Sequence, residues 1–172
     1  MLTIILENRN NEAELAQTLS VLVAGAIDGL VSDVIILDHG SRDGSSLVAD
    51  AAGCRFHTSW DLREIILSAR GTWLLLVEPG ARPGNGWIEE VSEYVALNTA
   101  PARFSPSRTY RRPFFRRLGR RPAPLEQGFL LSKRQATALV RPGMDLPALA
   151  TGLAVRKLAT ELVPAWVLAG RR

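Results

Sequence analysis

The fold is decided by residues 34–45, which read Val34-Ile35-Ile36-Leu37-Asp38-His39-Gly40-Ser41-Arg42-Asp43-Gly44-Ser45. The four apolar residues predict a strand that is buried on both faces. The glycine-bearing loop behind them predicts a strand-to-helix turn with Asp43 or Ser45 as the N-cap. Asp38 then stands at the carboxyl end of a strand, where open α/β sheets bind ligands. The stretch matches neither G-x-G-x-x-G nor a P-loop, so it supports neither of those phosphate sites.

Strands and helices alternate on both sides of this stretch. This alternation predicts an α/β protein with a parallel sheet and helices on both of its faces. Strands are predicted at 2–6, 34–37, 54–57, 73–77, 127–131 and 163–168, and helices after Asn11 and at 45–52, 60–70, 87–97, 132–140 and 147–159.

The ends and the buried face of two helices are predicted from single residues. Asn11 is expected to cap the first helix, and the segment from Gly25 to Gly29 is expected to break it. Gly71 is expected to stop the helix at 60–70 as its C′ residue. The residues of the first helix expected to face the core are Leu15, Leu19, Leu22 and Val23.

The size and composition of the chain indicate one globular domain. A chain of 172 residues with 47% hydrophobic and 22% charged residues can bury a sizeable core. The single cysteine, Cys54, allows no internal disulfide and suits a reducing compartment. The apolar run at 2–6 is too short for a signal peptide, and no run is long enough to cross a membrane. We therefore expect a cytoplasmic protein.

Charge is distributed unevenly along the chain. Residues 1–94 carry 14 acids and 6 arginines, a net charge of −8, whereas residues 95–172 carry 3 acids and 15 bases, a net charge of +12. A basic tract with interleaved aromatic residues predicts an anionic partner, either a membrane surface on the cytoplasmic face or, as the weaker alternative, RNA. A short helix is expected at 114–119. The arginines of the tract are Arg103, Arg108, Arg111, Arg112, Arg116, Arg117, Arg120 and Arg121.

Five segments resemble family 2 glycosyltransferases of the GT-A fold, in particular a bacterial subfamily. Residues 2–15 are similar to the first strand, loop and helix of that family, and 34–44 to its V-V-D-D-G-S-x-D-G signature. Residues 69–76 are similar to A-R-G-D-W-L-L-F, Gly86-Trp87 to the end of P-G-W, and 126–132 to D-Q-G-x-x-x-S.

The resemblance implies a single GT-A-like domain over 1–172, with a nucleotide-binding half at 1–97 and a basic acceptor-side half at 98–172. It implies a nucleoside diphosphate or nucleotide sugar as the ligand. For Asp38 the alternative is a loop-capping role, and for His39 that of an exposed loop histidine. The residues implied to bind the nucleotide are Glu7, Asn11, Asp38, His39 and Ser41.

Two departures from the family pattern bear on activity. The family's metal-binding aspartate falls at Gly80, which leaves Glu78 as the nearest carboxylate and weak candidate ligand. The family's catalytic Glu-Asp pair falls at Ala150-Thr151, which cannot accept a proton from a sugar hydroxyl near neutral pH. Glu78 and Glu126 are the substitute catalytic candidates, and Mn²⁺ or Mg²⁺ is expected only if the protein is active.

Three functions therefore stay open. The first is a glycosyltransferase-like protein that binds a nucleotide or nucleotide sugar with weak or no transfer. The second is an active inverting glycosyltransferase that uses Glu78 or Glu126. The third is a non-enzymatic module that binds anionic lipid or RNA through the arginine tract. The sequence does not predict the oligomeric state.

Overall fold

The computed structural model describes residues 1–110 and 123–169 of the chain. Their strands form one eight-stranded sheet with the order β3-β2-β1-β4-β7-β6-β8-β5. The strands are β1 (Leu2–Asn8), β2 (Val31–Asp38), β3 (Arg55–His57), β4 (Trp73–Leu76), β5 (Arg82–Pro83), β6 (Ala102–Pro106), β7 (Phe129–Ser132) and β8 (Arg156–Val163).

Helices connect these strands and cover the sheet. They are α1 (Glu12–Ile27), α2 (Ser45–Ala51), α3 (Leu62–Ser68), α4 (Trp87–Leu97), α5 (Lys133–Leu139), α6 (Leu146–Leu149) and α7 (Trp166–Ala169).

The first half of the sheet is parallel. β1 pairs in parallel with both β2 and β4, and β2 pairs in parallel with β3. β7 then runs antiparallel to β4 and to β6, β8 runs parallel to β6, and β5 runs antiparallel to β8. This mixed sheet, in which parallel pairs are the majority, confirms the predicted α/β class.

Alternate residues of β1 divide the core into two layers. Ile4 and Leu6 pack into the layer that α1, α2 and α4 cover, whereas Ile5 packs into the layer that α3, α5 and α6 cover. All three side chains are fully buried. The run at 34–37 in β2, predicted to be buried on both faces, divides in the same way: Ile36 packs into the first layer, and Ile35 and Leu37 pack into the second.

Packing explains where the helix predictions hold and where they fail. α1 ends at Ile27, within the predicted segment from Gly25 to Gly29. Gly25 itself lies inside the helix, where a Cβ would lie 2.7 Å from the Trp87 ring, so glycine allows α1 and α4 to pack closely. Val23 lies on the outer face of α1 and is 55% exposed. Gly71 is not the C′ residue of α3; a Cβ at Gly71 would lie 2.4 Å from the backbone nitrogen of Thr3, so glycine allows the chain to approach β1.

The predictions for 147–168 are also wrong. The predicted helix at 147–159 is only the short α6, and Gly152 after it has a left-handed φ of +77°. The chain then enters β8, which ends at Val163, and the rest of the predicted strand at 163–168 is a turn followed by the start of α7. Two strands that the sequence did not predict, β5 and β6, contain or end in a proline, which is typical of strand ends and edges.

The arginine tract falls largely outside the described residues. The predicted helix at 114–119 and Arg111, Arg112, Arg116, Arg117, Arg120 and Arg121 lie there. In the described part of the chain, no helix combines the length and the apolar character needed to span a bilayer.

Candidate functional site

A pocket lies where the order of the strands reverses. The chain passes from β1 to β2 and β3 on one side, and β4 then pairs with the other side of β1. Such a reversal opens a crevice at the carboxyl ends of the strands, where α/β sheets bind ligands. An open cavity of about 380 Å³ occupies this place, and we call it the switch-point pocket. Its polar lining consists of Glu7, Asn11, Glu14, Glu78 and Trp166.

Three glutamates line the switch-point pocket, each from a different part of the chain. Glu7, near the end of β1, accepts a hydrogen bond from the Leu146 backbone N–H at 2.7 Å and lies 3.1 Å from Nε2 of His39. Glu14 of α1 is only 5% exposed. Glu78 follows β4 and is half-buried. Carboxyl groups from three elements therefore meet at the wall of the pocket.

Asp38 organises the loop at the carboxyl end of β2. It is 3% exposed, its Oδ2 accepts the Ser41 backbone N–H at 2.7 Å, and its Oδ1 accepts the Ser41 hydroxyl at 2.5 Å and the Asn8 amide at 3.0 Å. Burial alone would raise the pKa of Asp38, but these hydrogen bonds outweigh it and the pKa is lowered. Asp38 is therefore an ionised carboxylate that joins β1 to β2, as the loop-capping alternative describes.

Ser41 extends this network to the loop after β1. Its hydroxyl oxygen accepts the Asn10 backbone N–H at 2.8 Å and the Asn8 amide at 3.1 Å. Asn11, the N-cap residue of α1, lines the switch-point pocket and makes no side-chain capping bond. His39 is 46% exposed and meets the Trp60 ring edge-on at 4.8 Å. The five residues predicted to bind the nucleotide thus lie at the carboxyl ends of β1 and β2 and on the loops that follow, and two of them, Glu7 and Asn11, line the pocket.

Asp43 and Glu12 hold these two loops together. Asp43 accepts the Glu12 backbone N–H at 3.0 Å, and Glu12 accepts the Gly44 backbone N–H at 2.9 Å. A Cβ at Gly44 would lie 2.6 Å from the Glu12 carboxyl group, so glycine is needed for this contact. Gly44, rather than Asp43 or Ser45, is the N-cap residue of α2, although Asp43 does accept the Ser45 backbone N–H at 3.1 Å.

Gly80 is built into a packed turn at the other side of the pocket. Its backbone N–H donates to the Thr18 hydroxyl at 2.7 Å, and Thr18 donates to the Ala81 carbonyl at 3.0 Å. Gly80 has a left-handed φ of +98°, and a Cβ here would lie 3.3 Å from the Cα and the carbonyl oxygen of Ala165. The position therefore leaves little room for the side chain of a metal-binding aspartate.

Ala150-Thr151 offers no catalytic base. Ala150 is 1% exposed, and its carbonyl accepts a hydrogen bond from Arg103 at 2.6 Å. The Thr151 hydroxyl donates to the Ala148 carbonyl at 2.8 Å. Both residues follow the end of α6 instead of opening a long helix.

Glu126 and Arg103 act within the fold. Glu126 Oε1 accepts the Trp166 indole N–H at 3.1 Å, so the candidate substitute base contacts a side chain that lines the switch-point pocket. Arg103 donates to the Pro124 and Ala150 carbonyls and lies 5.0 Å from the centroid of the Phe129 ring. Its inclusion in an exposed basic tract is therefore wrong.

Arg108 is the one described member of the predicted anionic surface. Its side chain is 85% exposed and pairs with Glu161 at 3.2 Å. An exposed pair of this kind contributes little to stability and leaves the guanidinium accessible to an anion.

Two pocket residues were not predicted from the sequence. Glu14 neighbours Leu15 on the buried side of α1. An acidic residue on the apolar face of a predicted helix was the sequence feature that could have indicated its place in the pocket. Trp166 gave no local signal, because it reaches the pocket through the placement of β8 and α7.

The residues around the pocket do not fit a divalent metal. Within 1–110 and 123–169, no group of three or more His, Cys, Asp or Glu side chains could hold a metal ion. Mn²⁺ and Mg²⁺ prefer several oxygen ligands in near-octahedral geometry. Glu78, on the turn after β4 that also carries the closely packed Gly80, does not by itself supply such a set.

The strand order, the helices on both faces and the pocket define an α/β protein with a GT-A-like fold. Among solved structures, glucosyl-3-phosphoglycerate synthase of Mycobacterium tuberculosis in complex with Mg²⁺ and UDP matches with a TM-score of 0.65 and 18% identity, over 95% of this chain and 71% of that one. The same synthase with Mn²⁺, UDP and glucosyl-3-phosphoglycerate matches with a TM-score of 0.59 and 18% identity, over 98% and 75%. Mannosyl-3-phosphoglycerate synthase of Rubrobacter xylanophilus matches with a TM-score of 0.57 and 14% identity, over 78% and 54%.

These neighbours are GT-A nucleotide-sugar glycosyltransferases, and at such identities the likeness concerns the fold. The chain spans between about half and three quarters of their lengths. No protein-family model and no curated protein sequence matches the chain.

Proposed function

We propose that this chain is a family 2 glycosyltransferase-like protein that binds a nucleotide or nucleotide sugar with weak or no sugar transfer. The observation that carries the proposal is the switch-point pocket in a GT-A-like fold, with Glu7 on its wall 3.1 Å from His39 of the loop that follows Asp38. In this proposal residues 1–97 supply the nucleotide side, and residues 98–172 supply the basic side that faces an acceptor.

The same geometry argues against efficient transfer. Gly80 offers no ligand to a metal, and Ala150-Thr151 offers no base. Metal polarisation contributes several kcal/mol to transition-state stabilisation, and a positioned general base contributes roughly 10²–10⁴ in rate. An active enzyme would have to use Glu78 or Glu126 instead, and Glu126 is already bonded to Trp166.

The test is a thermal-shift screen of the common nucleoside diphosphates, with and without Mn²⁺. Ligand at about 100 times Kd adds about 2.7 kcal/mol to the free energy of unfolding, a melting shift on the order of 5–10 °C for a chain of this size. The shift should disappear in Asp38→Ala and persist in Asp50→Ala, an exposed acid of α2. A screen without any shift, or an equal shift in both variants, would reject the nucleotide site.

We propose peripheral binding to an anionic membrane surface as a second candidate function. The charge of +12 in residues 95–172 and the exposed Arg108 favour it. Each basic side chain contributes about 1 kcal/mol near anionic lipid, and salt weakens the attraction. RNA is the competing anion.

The membrane candidate is tested by co-sedimentation with phosphatidylserine vesicles. Binding should be lost when Arg111, Arg112, Arg116 and Arg117 are replaced by glutamine. The control replaces four arginines of the acidic half, Arg9, Arg42, Arg63 and Arg70, so that the total charge changes equally. Equal loss of binding in both variants would indicate that net charge, and not a particular surface of the protein, causes the binding. If the protein binds RNA but not vesicles, its anionic partner is nucleic acid and not lipid.

A further inference from the structure

The last described segment of the chain, residues 164–169, lies against the switch-point pocket. Ala165 and Trp166 form part of the pocket wall, opposite residues that come from the loops after β1 and β4. We call this segment the C-terminal strap. The start of the strap packs on the turn after β4. A Cβ placed on Gly80 of that turn would lie 3.3 Å from the Cα and the carbonyl oxygen of Ala165.

A side-chain hydrogen bond ties the strap to a different part of the chain. The Trp166 indole N–H donates to Glu126 Oε1 at 3.1 Å. Glu126 belongs to the turn before β7, where its other oxygen accepts the Ala123 backbone N–H at 3.3 Å. The Trp166–Glu126 bond therefore joins the strap to the turn that carries Leu125, another residue of the pocket wall.

The backbone of the strap bonds within itself. The Val167 N–H donates to the Pro164 carbonyl, and the Leu168 N–H donates to the Ala165 carbonyl. β8, by contrast, is bonded to β6 and to β5. Short segments whose backbone bonds are local open at a lower free energy than strands inside a sheet. Lifting the strap exposes the buried side chains of Pro164 and Val167 but separates no strands of the sheet.

We propose that the C-terminal strap is a latched cover of the switch-point pocket, with Trp166–Glu126 as the latch. When the latch opens, the strap moves away from Glu78 and Leu125, and the pocket widens. A ligand too large for a cavity of about 380 Å³ would then enter only through the opened state. This inference concerns access to the pocket and does not depend on which ligand enters.

Hydrogen-exchange mass spectrometry and carboxylate labelling test the latch without any ligand. Trp166→Phe removes the N–H donor and keeps an aromatic ring, and Glu126→Ala cuts the same bond from the other side. Trp60→Phe is the matched control, because Trp60 contacts His39 and does not line the pocket. The probe for pocket access is a water-soluble carbodiimide with glycinamide, which modifies accessible carboxylates.

Both latch variants should increase amide exchange in 164–169 by about tenfold or more, with β8 unchanged. Labelling of Glu78 should rise several-fold relative to Glu93, an exposed acid of α4 that serves as the internal reference. The Trp60→Phe protein should match the wild type in both measurements.

Three results would overturn the proposal. The first is unchanged exchange of 164–169 in both latch variants. The second is faster exchange that includes β8, because the strap would then not open as a separate unit. The third is faster exchange without increased labelling of Glu78, because the strap would then not cover the pocket. Since no nucleotide is present, these results are independent of the nucleotide-binding test.

Discussion

Replacing Glu90 by glutamine should destabilise the sheet at β8. In the pairing of β6 with β8, Arg103 lies opposite Lys157 and Ser105 lies opposite Glu161. Between these two pairs β8 contains more residues than β6, so β8 forms a bulge there. Glu90 of α4 accepts the backbone N–H groups of Ala159 at 2.5 Å and of Thr160 at 2.7 Å with its two carboxylate oxygens. These two donors lie in the bulge, and the carboxylate satisfies both.

Glutamine keeps one acceptor and turns an amide donor towards the second backbone N–H. One hydrogen bond to a charged group, with a typical value of about 1.5–3 kcal/mol, is lost, and one donor is left without an acceptor. We expect Glu90→Gln to lower the free energy of unfolding by about 2 kcal/mol, and the melting temperature by about 4–8 °C. Urea denaturation with an unchanged m-value measures this loss.

The pH dependence gives a second measure of the same bonds. Burial alone would raise the pKa of Glu90, but the hydrogen bonds from Thr160 and Ala159 outweigh it and lower the pKa below its ordinary value of 4.5. The stabilisation is therefore fully present above the unfolded-state pKa and is lost as the pH falls through the lower folded-state pKa. Glu90→Gln removes this part of the acid sensitivity.

Glu93→Gln, on the exposed side of α4, is the control and should change stability by less than about 0.5 kcal/mol. If Glu90→Gln and Glu93→Gln have equal stabilities between pH 4 and pH 7, the two short bonds to β8 do not stabilise the fold, and the reasoning is refuted.

Three further predictions follow from the glycines and the pocket. Gly71→Ala should cost about 3 kcal/mol in urea denaturation, because its Cβ would lie 2.4 Å from the Thr3 nitrogen; a loss below 1 kcal/mol would contradict this close approach. Gly80→Asp should create no Mn²⁺ site in a calorimetric titration. It should lower the free energy of unfolding more than Gly53→Ala does, because Gly53 also has a positive φ but a Cβ there would meet no neighbouring atom. Release of product from a panel of nucleotide sugars should stay well below 1 s⁻¹ with and without Mn²⁺, and turnover near that rate that disappears in Glu78→Gln would establish the active-enzyme alternative.

The sequence predicts the first half of the fold well because its signals there are local. The apolar run at 34–37 and the helix at 87–97 follow from periodicity alone, and α4 has the predicted bounds. Gly71 illustrates the limit, because a glycine required by a distant strand looks like a helix stop in the sequence.

The second half depends on contacts between distant segments. β8 contains a bulge whose backbone donors are satisfied by Glu90, about 70 positions earlier in the chain. Leu149, Leu153 and Leu158 are spaced as they would be on a helix, and this spacing produced the wrong prediction at 147–159, although only Leu158 lies in β8. The same applies to the site: Asp38 follows from its place at a strand end, whereas Trp166 reaches the pocket only through β8 and α7.

The lining of the switch-point pocket constrains how a nucleoside diphosphate would bind. Glu7, Glu14 and Glu78 line the pocket, and the described residues provide no metal site at which a diphosphate could be neutralised. In the proposed function, the nucleoside would therefore lie on the Asp38 loop, while arginines of the basic half would have to meet the diphosphate. Binding of this kind is weak and decreases as salt increases. An affinity that rises with Mn²⁺ and is insensitive to salt would contradict this division between the two halves.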